Sequence, residues 1–154
     1  MKELLNTCAK IERAVSDLYF QFGQLYAEAP QLSELWQKTA REELNHEQQF
    51  LMASRLYSSQ LTPDASVSVE RLHKILDAVR GVHDKVLQAP PSPEQALKLS
   101  ISLEEQLVET HLKAVLCFDD HSINRLFKAM MAADHEHVAA LQKYLATGEI
   151  TEPA

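Results

Sequence analysis

Residues 43–46 read Glu43-Leu44-Asn45-His46, and residues 134–137 read Asp134-His135-Glu136-His137. In both, an acid and a histidine stand three positions apart, and the surroundings match as well. At an offset of 91, Leu32, Leu35, Trp36 and Phe50 fall on Ile123, Leu126, Phe127 and Leu141, while Glu43 falls on Asp134 and His46 on His137. Apolar residues meet apolar residues at helical spacing, and the two polar positions also agree in chemical type. Upstream of each motif a second pair of segments matches at an offset of 92. There Leu5, Ile11, Glu12, Val15, Tyr19 and Tyr26 fall on Leu97, Leu103, Glu104, Leu107, His111 and Phe118. The simplest reading is one helical hairpin, duplicated.

Breakers between the matched segments set the helix limits. Helices are predicted at about residues 3–28, 31–57, 68–88, 93–118 and 122–147. Ala29-Pro30 stops the first, because proline disfavours helical geometry in the residue before it. The polar stretch Ser58 to Ala65, with Pro63, closes the second. Val69, Leu72, Ile75, Leu76, Val79, Val82 and Val86 give the third an amphipathic pattern, with Gly81 its weak point. Ala89-Pro90-Pro91-Ser92-Pro93 is a break in which Ser92 suits an N-cap and Pro93 the first helical position. Asp119-Asp120-His121-Ser122 forms the last turn, and Thr147-Gly148 a C-cap. Two long hairpins are thus linked by a crossover of about 35 residues that contains an extra helix. The expectation is an all-α four-helix bundle in a single domain.

Composition agrees with that expectation and removes several functions. A chain of 154 residues with 45% hydrophobic content can build one sizeable core, and three glycines are few for anything but helices. A net charge of −7 without a basic run argues against gripping a nucleic-acid backbone. No stretch approaches the roughly 20 apolar residues of a membrane span. The opening residues MKELLNTCAK lack a signal peptide's apolar run, so a cytoplasmic location is expected. Cys8 and Cys117 are isolated, which excludes a cysteine-ligated zinc or rubredoxin-type iron centre within these residues.

The acids at the repeated positions carry the chemistry. Glu12 interrupts the apolar seam Leu5, Cys8, Val15, Tyr19, Phe22 and Tyr26. Glu43 and His46 point inward together, because an i, i+3 pair lies about 60° apart around a helix axis and roughly 4.5 Å along it. Asp134 and His137 repeat this pairing, and Glu104 repeats Glu12. Four carboxylates aimed into one core repel each other, and a buried uncompensated charge costs several kcal/mol. Two divalent cations would cancel the four negative charges. The candidate ligands are therefore Glu12, Glu43, His46, Glu104, Asp134 and His137, a mixed nitrogen and oxygen set that suits iron or manganese.

Plainer readings stand beside this one. Glu12 alone would be as readily a strained or surface glutamate; the repeat is what favours a ligand. Glu105 competes with Glu104, but seam and offset both select Glu104. His135 and Glu136 face away from the seam, and His73, His83 and His121 read as surface residues. His111 either supports the ligands or simply packs in the core, and both readings remain open. Cys8 and Cys117 read as small buried hydrophobes, and Trp36, Phe50 and Phe127 as core.

With these residues in place, the chain resembles the rubrerythrin-like branch of the ferritin-like superfamily over residues 3–57 and 93–147. The resemblance rests on Glu12, Glu43-Leu44-Asn45-His46, Glu104 and Asp134-His135-Glu136-His137. It implies that Glu43 and Asp134 bridge two iron ions, that Glu12 and His46 serve one, and that Glu104 and His137 serve the other. It also implies that Tyr19 lies beside the metals. The expected activity is reduction of hydrogen peroxide or dioxygen by ferrous iron, as a peroxidase or ferroxidase, in a homodimer. Three departures are visible. Ile101 stands where rubrerythrins carry an additional glutamate, which favours a six-ligand site. No rubredoxin-like segment lies within these residues, so an external electron donor protein is expected. Asp134 is one methylene shorter than the usual glutamate. The alternative expectation is a metal-binding bundle that docks a partner without redox turnover.

Overall fold

The computed structural model describes residues 2–56, 68–115 and 121–148. They form α1 (Lys2–Leu25), α2 (Pro30–Leu56), α3 (Val69–Gln88), α4 (Pro93–Val115) and α5 (His121–Thr147), with no strand among them. Tyr57, the Ser58 to Ala65 break, Cys117, Phe118 and the Asp119-Asp120 half of the last turn lie outside the described residues. Among the described residues, no helix is long and apolar enough to cross a membrane.

The caps follow local chemistry. Ser92 Oγ accepts the Gln95 N–H at 3.2 Å, and Gln95 Oε1 accepts the Ser92 N–H at 2.9 Å, a reciprocal capping box before α4. Ser68, not anticipated as a cap, accepts the Arg71 N–H at 3.1 Å and starts α3. Gly148 closes α5 with φ 70°, the left-handed region that favours glycine, and its N–H reaches the Tyr144 carbonyl at 2.8 Å. Pro30 begins α2 itself, at the first helical position, where its missing N–H costs nothing.

Four helices make the bundle. α1 packs along α2, α4 along α5, and α2 touches α5. Contacts fix the directions. Tyr26 reaches Pro91 while Tyr19 reaches Glu104 and Glu12 reaches His111, so α1 and α4 are antiparallel. Phe50 meets Phe127 while Glu42 meets His137, so α2 and α5 are antiparallel too. Diagonal helices α2 and α4 therefore run the same way, and the connection between them must travel the length of the bundle. α3, at about 1.5 Å per residue, covers about 30 Å of that distance. It lies against α1 and bonds to α4 through Arg71 and Glu109 at 3.8 Å, so it shields the side where α1 faces α4. An apolar groove lined by Ile75, Val79, Val82, Leu99 and Leu103 runs between α3 and α4.

The core is apolar at both ends and polar in the middle. Tyr19, Phe22, Tyr26 and Trp36 stack in one end layer, with Phe22 and Trp36 centroids 5.1 Å apart. Phe50 and Phe127 close the other at 5.3 Å. Buried hydroxyls tie helices together: Ser16 donates to the Ala40 carbonyl at 2.8 Å, Ser33 to the Gly23 carbonyl at 2.6 Å, and Trp36 Nε1 donates to Ser100 Oγ at 3.1 Å. These bonds fix the register of the helices that carry the polar layer.

Candidate metal centre

The six expected residues all arrive in that middle layer. Glu12, Glu43, Glu104 and Asp134 are 1% exposed or less, and His46 and His137 are 6% and 5% exposed. Glu105 is exposed, as are His135 and Glu136. Glu12, Glu43 and His46 bring ligand atoms within 4.8 Å of one another, and so do Glu43, Glu104, Asp134 and His137. Glu43 belongs to both groups. Its Oε2 lies 3.0 Å from His46 Nδ1 and its Oε1 lies 3.0 Å from His137 Nδ1.

Helical geometry explains the convergence. The i, i+3 spacing on α2 and α5 turns acid and histidine to one face, and the antiparallel α2–α5 contact sets those faces against each other. Glu12 and Glu104 then close the layer from α1 and α4. Tyr19 Oη, beside the site as anticipated, donates to Glu104 Oε1 at 2.6 Å and lies 3.4 Å from the Ser100 carbonyl.

Two further residues belong to the cluster. His111, 1% exposed, places Nδ1 2.6 Å from Asp134 Oδ2 and Nε2 3.2 Å from Glu12 Oε1. His111 thus both packs in the core and holds two of the candidate ligands. Glu42, which sequence reading did not single out, lies 2.6 Å from His137 Nε2 with its side chain 38% exposed. It occupies the outer nitrogen and leaves Nδ1 facing Glu104 Oε2 at 3.3 Å and Glu43 Oε1. The pattern, one imidazole nitrogen inward and the other on an outer carboxylate, fixes the ring as a metal-ligating histidine requires. No apolar period marks Glu42; only its place next to Glu43 could have drawn notice.

Protons carry the charge balance of this cluster. Burial pushes the Glu12 carboxyl up to about 8 despite its hydrogen bond to His111. Burial and then the Glu43 charge push Glu104 up to about 7. Burial also acts to raise Glu43, but the His137 and His46 imidazoles beside its two oxygens overcome it and hold Glu43 well below the usual carboxylate range. Burial acts to lower His111, and the Asp134 and Glu12 carboxylates reverse it, pushing the imidazole up to about 10. His46 and His137 are raised in the same way by their carboxylate neighbours.

The fit to a cation is specific. Glu12 Oε2, Glu43 Oε1 and Asp134 Oδ1 are buried and accept no hydrogen bond, although His137 Nδ1 approaches Glu43 Oε1 off the line of one. A buried carboxylate oxygen without a partner is costly. Three of them on separate helices, facing imidazole nitrogens, form a donor set that a cation would complete. The cluster can hold a metal ion. Cys8, one turn before Glu12, is buried, and burial followed by the Glu12 charge raises its thiol, so it sits as a neutral apolar group. No family model matches the chain, and neither a curated protein nor a solved structure matches it.

Proposed function

We propose that the chain is a non-haem di-iron oxidoreductase of the ferritin-like, rubrerythrin-like type, which reduces hydrogen peroxide or dioxygen with ferrous iron. The observation that carries this reading is the pair of overlapping ligand groups that share Glu43. Glu43 and Asp134 would lie between two ions, with Glu12 and His46 serving one and Glu104 and His137 the other. Two histidines and four carboxylates favour iron or manganese over the oxygen-only sites of calcium or magnesium. When bound, the two ions would supply the electrons for reducing the oxidant.

The chain's own residues supply the setting. The aromatic layers of Tyr19, Phe22 and Trp36 on one side and Phe50 and Phe127 on the other exclude water along the bundle axis. α3 covers the α1–α4 side. The slightly exposed edges of His46 and His137, with Glu42 beside them, leave the α2–α5 side for a small oxidant to approach. In this proposal a separate protein returns the electrons, and two copies of the chain pair as a homodimer.

Anaerobic loading with ferrous iron, followed by peroxide and then by air, tests the reading. Ferric charge-transfer absorption in the near ultraviolet is expected with at least one oxidant; an unchanged spectrum with both contradicts it. The almost complete burial of all four carboxylates favours a second reading, in which bound ions only stabilise the bundle. That reading requires full metal loading together with the unchanged spectrum.

A further inference from the structure

The repeat relates His111 to Tyr19 as it relates Glu104 to Glu12, and the two residues cross the bundle in opposite senses. Tyr19 of α1 donates to Glu104 Oε1 of α4, and His111 of α4 bonds Glu12 Oε1 of α1. They are not equivalent, because an imidazole has two ring nitrogens that can each engage a carboxylate. The second one, Nδ1, lies 2.6 Å from Asp134 Oδ2. Phe50 and Phe127, themselves in contact, pack against the ring from one side at centroid distances of 5.7 and 6.0 Å.

His111 thereby occupies one oxygen on each of two carboxylates and leaves the other free. The free ones, Glu12 Oε2 and Asp134 Oδ1, are two of the three buried ligand-group oxygens that accept no hydrogen bond. Both face the same atom: they lie 3.9 and 4.0 Å from His46 Nδ1, beside Glu43 Oε2 at 3.0 Å. With Oδ2 taken, Asp134 offers the ions a single oxygen where Glu43 offers two. Asp134 is the shorter acid of the pair, and the His111 ring is what fixes its carboxylate.

From this clasp of Glu12 and Asp134 by one imidazole, we infer that His111 is a positioning residue for the metal position beside His46. It ties the outer oxygens of Glu12 and Asp134 so that their inner oxygens converge there before an ion arrives. The inference rests on the two-metal reading. The other position shares Asp134 but not Glu12, and it has supports of its own, Tyr19 on Glu104 and Glu42 on His137, so it depends on His111 less.

Cobalt(II) titration of the metal-free protein, followed by d–d absorption and by calorimetry, tests it. Wild type binds two cobalt ions. His111→Phe weakens one of the two events about 10–100-fold, as expected when a group orienting a ligand is lost, and weakens the other, which shares only Asp134, by a smaller factor. His111→Gln, which keeps one donor, falls between, and its milder change in shape serves if the phenylalanine variant does not fold. In a His46→Ala background, which removes the more dependent position, the remaining event changes with residue 111 only by the smaller factor. A folded His111→Phe protein with both affinities intact, or with both weakened alike, overturns the inference. Fewer than two cobalt ions on wild type overturns the two-metal reading instead.

Discussion

Glu12, Glu104 and His111 hold protons in the folded metal-free chain that they release on unfolding, and this sets a direction for stability against pH. Their pKa values rise from 4.5 to about 8, from 4.5 to about 7 and from 6.5 to about 10. A raised value means that the folded state binds more protons, so each contribution is complete below the unfolded pKa and is lost as pH climbs through the folded one. Glu43, held low, acts oppositely: its contribution is present above 4.5 and is lost on acidification. The metal-free protein should therefore melt at progressively lower temperature between about pH 5 and about pH 9. Metal and protons compete for the same atoms, so metal affinity should rise over the same range. Thermal unfolding across that range, with and without metal, checks both; a melting temperature that rises with pH in the metal-free protein contradicts the account. At this scale the sequence was legible where a residue's role follows from its helix face. Glu104 and Glu105 are neighbours, yet the repeat offset picks the buried one. Glu42 and the two hydrogen bonds of His111 were not legible, because both depend on which rotamer meets which helix in space.

Among the elements, the α1–α2 hairpin shows how packing sets helix limits. Ala27 and Glu28 are good helix formers, and the sequence predicts helix to 28. α1 nevertheless ends at Leu25: Tyr26 still bonds back to Phe22, but Ala27 and Ala29 bond to Gln24 and Tyr26 in tighter turns before Pro30, and the Tyr26 hydroxyl donates to the Pro91 carbonyl at 2.5 Å. The turn into Pro30 thus outweighs local propensity there. Gly23 permits close approach of the two helices: a Cβ at that position would lie 2.8 Å from Gln37 Cγ and 3.3 Å from the Ser33 carbonyl oxygen. Alanine would gain about 1 kcal/mol in helix propensity, against the cost of moving the flexible Gln37 side chain. Gly23→Ala is accordingly expected to be near neutral. Gly23→Val adds bulk against the Ser33 backbone and should lose about 1–3 kcal/mol, the usual cost of overpacking. Urea unfolding of the two variants checks the difference, and a valine variant as stable as wild type would show that the hairpin is looser than described.

The whole molecule couples folding to the ions it is proposed to hold. Buried carboxylates lie on all four bundle helices, so a cation shared among them binds the folded state and not the unfolded chain. At a free metal concentration 100 times the dissociation constant, one site adds about 2.7 kcal/mol of stability. Loading the protein should raise its melting temperature, and a chelator should return it to the metal-free value; a melting temperature indifferent to metal would detach the site from the fold. The bundle and its crossover could be read from the duplicated pattern because buried faces repeat every three to four residues. The position of α3 could not, since its apolar stripe shows that it packs but not that it packs on α1.

The central claim is that one core holds two ions through a shared glutamate. Elemental analysis after anaerobic reconstitution and gel filtration of wild type and Glu43→Gln measures it most directly. The account predicts two ions per wild-type chain and fewer than one in the variant, because both ligand groups include Glu43. A wild-type count well below two, or a variant that keeps both ions, would contradict it.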